Sequence, residues 1–530
     1  MIGAGCGKSS NSDDSGSGLT NSAQDVYTTS AASGDIDKFS WNLPNGEPTS
    51  LDWILDYGDS ENTVLANLCE GLQRQNPDFS ITDGLALFKR VDPLTFVYTI
   101  RSGVKFTDGN PLTAEDVAFS LNRNLDPALG SYWASPFYNS VKSIKVTGDN
   151  EVTVKLKTPD ALFNRMMATA AGVIGEKKYV EKKGDSYGTP TGGVMCTGPY
   201  SLESWKPGSE IVLKKNPNYW DQDLQPKADE VDFQFVTDES TASSALVSGS
   251  IDGTFEVPQA SVPQLQSGGK GKLTFGAGTQ FVGVRQTETK GLLTNPKIRE
   301  ALSLAMNRDA IAKVIFNGSS VPAMTPVQPA QWGYSKPIFE AAQQKLPKPT
   351  QDLTKAKDLV KQAGSPTDPI VIAVSADQSY MSQTAQTIKS AAKEVGLNVE
   401  VKGLSTDVFN NLYYDAKARS AYDAFLVQEY GAGVADPIVT LSEFTPLSDY
   451  NYGNLNIPAV TNSIRKAIAT YDDDQRADYV TTAQAALVDQ LGVITVGNQL
   501  NSVYQGSKIT GAPASLAFLY YPWAAGVGAP

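Results

Sequence analysis

The chain has 530 residues, 41% of them hydrophobic and 19% charged, with a formal net charge of −13. That length exceeds what one hydrophobic core supports, so two or three domains are expected. The apolar runs fall well short of the ~18 residues of a membrane span, and no Lys/Arg cluster offers the groove that nucleic acid needs. Histidine is absent, which excludes Ser-His-Asp and Cys-His nucleophilic machinery and most zinc sites, while leaving carboxylate-pair hydrolysis open.

Near the start, Cys6 precedes a tract rich in Ser, Gly, Asp and Asn that runs to about Gly18 and is too polar to fold. An acylated cysteine followed by a flexible tether is the design of a bacterial lipoprotein. Gly3-Ala4-Gly5-Cys6 resembles the end of a lipobox, with Gly3 where Leu is usual. Lipidation of Cys6 is expected, against the alternative of a free thiol in a polar tail. Two decoys sit here. The stretch from Gly3 to Ser9 imitates a P-loop but lacks one residue between its glycines and has no preceding strand. Asp14-Ser15-Gly16 imitates an aspartic-protease triplet without a partner.

Further on, Thr95 to Arg101 alternates, with Phe96, Tyr98 and Ile100 on one face of a half-buried strand. Asp108-Gly109-Asn110-Pro111 makes a turn. Thr113 to Asp116 reads as a capping box, followed by a helix face of Ala114, Val117, Ala118 and Leu121. Asn295-Pro296 starts a helix that presents Ile298, Ala301, Leu302 and Ala305 to a core, and Arg308 to Ile315 continues as a second, closed by Gly318. Pro369 to Val374 is a buried strand, Gln383 to Val395 a helix and Leu397 to Val401 a strand, which makes a βαβ unit with parallel pairing.

The wording from Arg101 to Leu121, RSGVKFTDGNPLTAEDVAFSL, resembles the hallmark segment of the family 5 extracellular solute-binding proteins, the peptide- and nickel-type receptors of ABC importers. More of the family's wording follows in order between about Trp41 and Val496. It includes Ala66 to Leu72, Thr197 to Tyr200, Asn216 to Trp220 and Ala245 to Gly253.

The resemblance implies an α/β, two-lobed periplasmic-binding-protein fold with a hinge and an extra subdomain on the first lobe. Residues 1–34 would be signal remnant and flexible tether; 35–60, 189–280 and 497–530 the lobe I core; 61–188 the extra subdomain; and 281–496 lobe II. The chain would cross between lobes near Gly278 to Thr287 and return near Val496 to Tyr504, so that ligand is trapped by closure. A Cys69–Cys196 disulfide is implied, two buried free thiols being the alternative.

In function, the resemblance implies a monomeric receptor and not an enzyme, needing no cofactor and no metal. It would be lipid-anchored to the outer face of the cytoplasmic membrane and deliver an oligopeptide to the permease subunits of an ABC transporter. The same fold binding an oligosaccharide or another small polar solute is the alternative. A nickel receptor is disfavoured by the missing histidine, and a sensor or adhesin on this fold stays open.

In the peptide-binding branch, an Asp that anchors the ligand ammonium lies four residues before the last Pro of a Trp-Gly-Ala-Asp-Tyr-Pro-Asp-Pro-like motif. The matching segment here runs from Gln428 to Pro437; Asp436-Pro437 agrees, but the anchor position is Gly433 and the aromatic is Tyr430. Either Glu429 or another acid replaces the anchor, or the ligand has no free α-amine there. Glu429, Tyr430, Gly433, Trp332 and Asn498 are the candidate ligand-binding positions, while Asp436 is expected to order its own loop.

Overall fold

The computed structural model describes residues 23–55, 58–135, 137–268, 270–287, 291–429 and 431–530. Cys6 and Tyr430 lie outside the described residues. Among the described residues, no helix is long and apolar enough to cross a membrane.

The alternating segment forms the strand Thr95–Ile100, with Phe96, Tyr98 and Ile100 buried and Thr99 exposed. It belongs to a four-stranded antiparallel sheet in the order Ala86–Asp92, Thr95–Ile100, Glu151–Leu156 and Val141–Gly148. Two reciprocal bonds fix the start of the helix Ala114–Arg123: Asp116 N donates to Thr113 Oγ1 (3.3 Å) and Thr113 N donates to Asp116 Oδ2 (3.0 Å). Val117, Ala118 and Leu121 on that helix are then buried.

A separate, eleven-stranded mixed sheet carries the rest of the architecture. In one half, Ile36–Asn42 runs parallel to Ala228–Gln234 and to Gly253–Phe255. Glu210–Lys215 and Tyr200–Lys206 continue that half antiparallel. Its core is aromatic: Phe255 stacks on Phe518 with centroids 3.8 Å apart, and Trp41 lies 4.5 Å from Trp523. The helix Asp59–Leu68 packs onto this core, where Trp523 Nε1 donates to Thr63 O (2.9 Å). Cys69, at the end of that helix, is bridged to Cys196.

In the other half, Pro369–Ser375 and Asn398–Leu404 pair in parallel, connected by the helix Ser379–Glu394. This helix starts earlier than Gln383, because Met381 adds a buried residue to the face of Ala385, Ile388 and Ala392. The helix Pro296–Ala305 buries Ile298, Ala301, Leu302 and Ala305 against the same core.

Two long strands belong to both halves. Lys272–Gln286 and Ile494–Gln505 pair antiparallel in register from Lys272 with Gln505 to Gly276 with Asn501, again from Gln280 with Gln499 to Val282 with Gly497, and after a second shift from Gly283 with Thr495. Between Gly276 and Gln280 the register shifts. On one side of this irregularity Gly253–Phe255 pairs with Val503 to Gln505; on the other, Ala424–Glu429 pairs with Phe281 to Gln286. A Cβ at Gly278 would stand 2.4 Å from Gln499 O, so the close approach of the two strands there requires glycine. The ladder is thus interrupted where the chain passes from one half to the other.

Candidate functional site

Two cavities, of about 650 and 560 Å³, open between the halves of the molecule. Asp59, Asn410, Tyr413 and Gln428 line both, so these are neighbouring compartments of one cleft. Clefts of this size, walled by both parts of a two-part molecule, are where small ligands are bound.

A chain of side-chain hydrogen bonds crosses the larger compartment. Tyr380, in the first turn of the helix Ser379–Glu394, donates to Gln428 Oε1 (2.7 Å). Gln428 Nε2, at the end of the strand Ala424–Glu429, donates to Gln280 Oε1 (3.1 Å), and Gln280 Nε2 donates to Glu256 Oε1 (3.0 Å). Asn45 Nδ2 donates to Glu256 Oε2 (2.9 Å) and to Asp59 Oδ2 (3.3 Å). Burial pushes the Glu256 carboxyl up, while the Gln280, Asp59 and Asn45 side chains hold it back. Gln499 and Asn501, on the returning long strand, line the same compartment. They are 5% and 3% exposed, and Gln499 Oε1 and Asn501 Oδ1 have no hydrogen-bond partner among the described residues.

The smaller compartment is walled by tyrosines, among them Tyr132, Tyr413, Tyr414, Tyr450 and Tyr452, together with Glu429 and Glu443. Behind the two carboxylates lies Arg285, 3% exposed, whose Nη1 is 2.6 Å from Glu429 Oε2 and 3.2 Å from Glu443 Oε2. Its Nη2 donates to Glu443 O (3.2 Å) and Tyr450 O (2.7 Å), and the guanidinium lies 4.5 Å from the ring centroids of both Phe444 and Tyr452. One guanidinium faces two carboxyls. Burial, then the Glu429 charge, pushes Glu443 up to about 8.

The candidates read from sequence separate here. Glu429 reaches the smaller compartment, but as the ion-pair partner of Arg285. Gly433 is buried with φ 64°, its carbonyl accepts from Gln75 Nε2 (3.0 Å), and a Cβ would lie 3.3 Å from both Leu519 and Tyr520. That position faces packed side chains of the first half, without room for an anchor. Trp332 stacks on Phe339 (5.9 Å, 8° between planes) and lines neither compartment. Asn498 donates to Val327 O (3.3 Å) and also lines neither. Asp436 is fully buried, caps the helix Pro437–Ser442 and lies 3.5 Å from Arg165 Nε and 3.8 Å from Arg476 Nη2.

Asp59, Glu256, Gln280, Tyr380 and Arg285 were not singled out from sequence. The only available signal was that Gln280 and Arg285 fall within or beside the predicted crossing segment. Among the described residues, no group of three or more carboxylates and cysteines converges as a metal ion requires.

The family model for bacterial extracellular solute-binding proteins, family 5, matches residues 85–452. The chain is 28% identical over 445 residues to the glutathione-binding protein GsiB of Salmonella typhi, covering 81% of this chain and 84% of that one. It is 26% identical over 507 residues to the oligopeptide-binding protein OppA of Bacillus subtilis, covering 88% of each. Its fold matches that of the oligopeptide-binding protein AppA of Bacillus subtilis in complex with a nonapeptide, with a TM-score of 0.77 at 19% identity over 94% of this chain and 99% of that one.

Proposed function

Because this chain belongs to the family 5 bacterial extracellular solute-binding proteins, we propose that it captures oligopeptides in the cleft between its two lobes and delivers them to the permease of an ABC importer. The carrying observation is the hydrogen-bond chain from Tyr380 to Asp59. It links elements of both lobes through Gln280 on a strand that the lobes share. A ligand that exchanges into this chain contacts both lobes at once and favours their closed arrangement. The relatives named for oligopeptide binding support the peptide reading.

We place the lobe boundaries at the irregularity between Gly276 and Gln280, and assign the helix Asp59–Leu68 to the first lobe, on whose aromatic core it packs. The four-stranded sheet from Ala86 to Leu156 then forms the body of the extra subdomain. The receptor binds without catalysis, acts outside the cytoplasm as a monomer and is held to the membrane through a lipid on Cys6.

Native mass spectrometry of the purified protein, followed by denaturation and sequencing of the released molecules, tests the peptide reading. Co-purified peptides are the expected result. A released saccharide, stacked on the tyrosine wall of the smaller compartment, would overturn it in favour of a sugar receptor on the same fold.

A further inference from the structure

We infer that the ligand is a basic peptide, and that Asp59 and Glu256 on the first lobe form the seat for one of its cationic groups. This rests on the peptide-receptor reading and narrows it. Six carboxylates line the two compartments (Asp59, Glu239, Glu256, Asp377, Glu429 and Glu443), and among the described residues no Lys or Arg lines either. Arg285 lies behind the second compartment and is taken up by Glu429 and Glu443. A peptide with acidic side chains finds no counter-charge in the lining of this cleft, whereas a cationic group can pair with a carboxylate that burial has desolvated.

An independent observation points the same way. Gln499 Oε1 and Asn501 Oδ1 are buried in the wall of the larger compartment without partners among the described residues. The orientation of Asn501 is fixed, because its Nδ2 donates to Ala514 O (2.8 Å). Both orphan atoms are acceptors, so the ligand group beside them has to donate N–H or O–H bonds. Ammonium and guanidinium groups are donors alone. Asn45 holds the Asp59 and Glu256 carboxylates together through one amide nitrogen, so a single cation can face both. Among the described residues, no third carboxylate or cysteine joins this pair to make a metal site, which favours an organic cation.

Isothermal titration of the full-length protein with three peptide series tests this, each series in tri- and pentapeptide versions. One series carries lysines alternating with alanine, one is all alanine and one carries glutamates alternating with alanine; spermidine is titrated separately. The expected result is a Kd for the lysine series at least about tenfold below the alanine series, with the glutamate series weakest. Asp59→Asn and Glu256→Gln should each remove most of that preference, the lysine series losing several-fold more affinity than the alanine series. If either variant fails to fold by circular dichroism, the wild-type ranking alone decides. Equal or tighter binding of the alanine or glutamate series overturns the cation seat and leaves the peptide reading standing. Spermidine binding without any peptide binding keeps the seat and overturns the peptide reading. Absence of all binding overturns both.

Discussion

Gln280 donates to Glu256 across 3.0 Å, and this contact places a side chain of the shared strand between the two lobes. Its own amide oxygen accepts from Gln428 of the second lobe. The geometry of Gln280 therefore depends on both lobes. Replacing it by Leu keeps the volume but leaves Glu256 Oε1 and Gln428 Nε2 without their partner, at a cost of about 1–3 kcal/mol. We expect Gln280→Leu to lower the midpoint of urea unfolding and to weaken ligand binding in titration. Unchanged affinity would remove Gln280 from the cleft's working parts.

Glu443 sets a pH dependence. Its carboxyl is pushed up to about 8 from an ordinary 4.5, so the folded chain holds a proton that the unfolded chain releases between those values. Stability from this group is complete below about pH 4.5 and is lost as pH rises toward 8, by up to about 1.4 kcal/mol per unit. Thermal unfolding of the wild type should fall across this window. Glu443→Gln should flatten the curve and raise the melting temperature at pH 8.

Arg285 gives a stability prediction of opposite sign. It is buried and serves two carboxyl groups, so Arg285→Met leaves Glu429 without its counter-charge and Glu443 without its hydrogen bond, and should cost about 3–5 kcal/mol. The double variant Arg285→Met with Glu429→Gln should recover part of that loss. Chemical denaturation of the single and double variants provides the comparison.

The Cys69–Cys196 bridge closes a loop of 127 positions. Loop-closure entropy for that length gives up to about 5 kcal/mol, and typical losses on removing a native bridge are about 2–5 kcal/mol. The Cys69→Ala, Cys196→Ala variant should melt well below the wild type, and the unreduced wild type should resist alkylation at both positions.

Gly433 occupies the place of the family's acidic anchor, yet restoring the acid should not restore a site. With φ 64° and Leu519 and Tyr520 at 3.3 Å from a built Cβ, Gly433→Asp should destabilise by about 1–3 kcal/mol with no gain in affinity. A gain in peptide affinity would mean that the loop can turn the new carboxylate into the cleft.

Elements whose signal is local were legible in the sequence. The alternation of Phe96, Tyr98 and Ile100, the Thr113–Asp116 box and the apolar face from Ile298 to Ala305 each rest on periodicity and capping. The start of the helix at Ser379 was not legible, since only Met381 in its first turn is apolar and Tyr380 turns toward the cleft. The cleft itself was harder still. Asp59 meets Glu256 through Asn45, and Arg285 meets Glu429 between neighbouring strands; both contacts arise from tertiary packing that no sequence spacing encodes. The family motif pointed to the Gly433 loop, whereas the carboxylates of the larger compartment stand on other segments.

A ligand held between the lobes touches both walls of the cleft at once. Hydrogen–deuterium exchange measured by mass spectrometry, with and without a peptide digest, tests it most directly. Ligand should bring simultaneous protection of the segments around Asn45 to Leu68, Gly253 to Gln259, Ser375 to Met381 and Thr406 to Tyr414, with the outer faces unchanged. Protection confined to one lobe, or none in the presence of peptides that demonstrably bind, would contradict it.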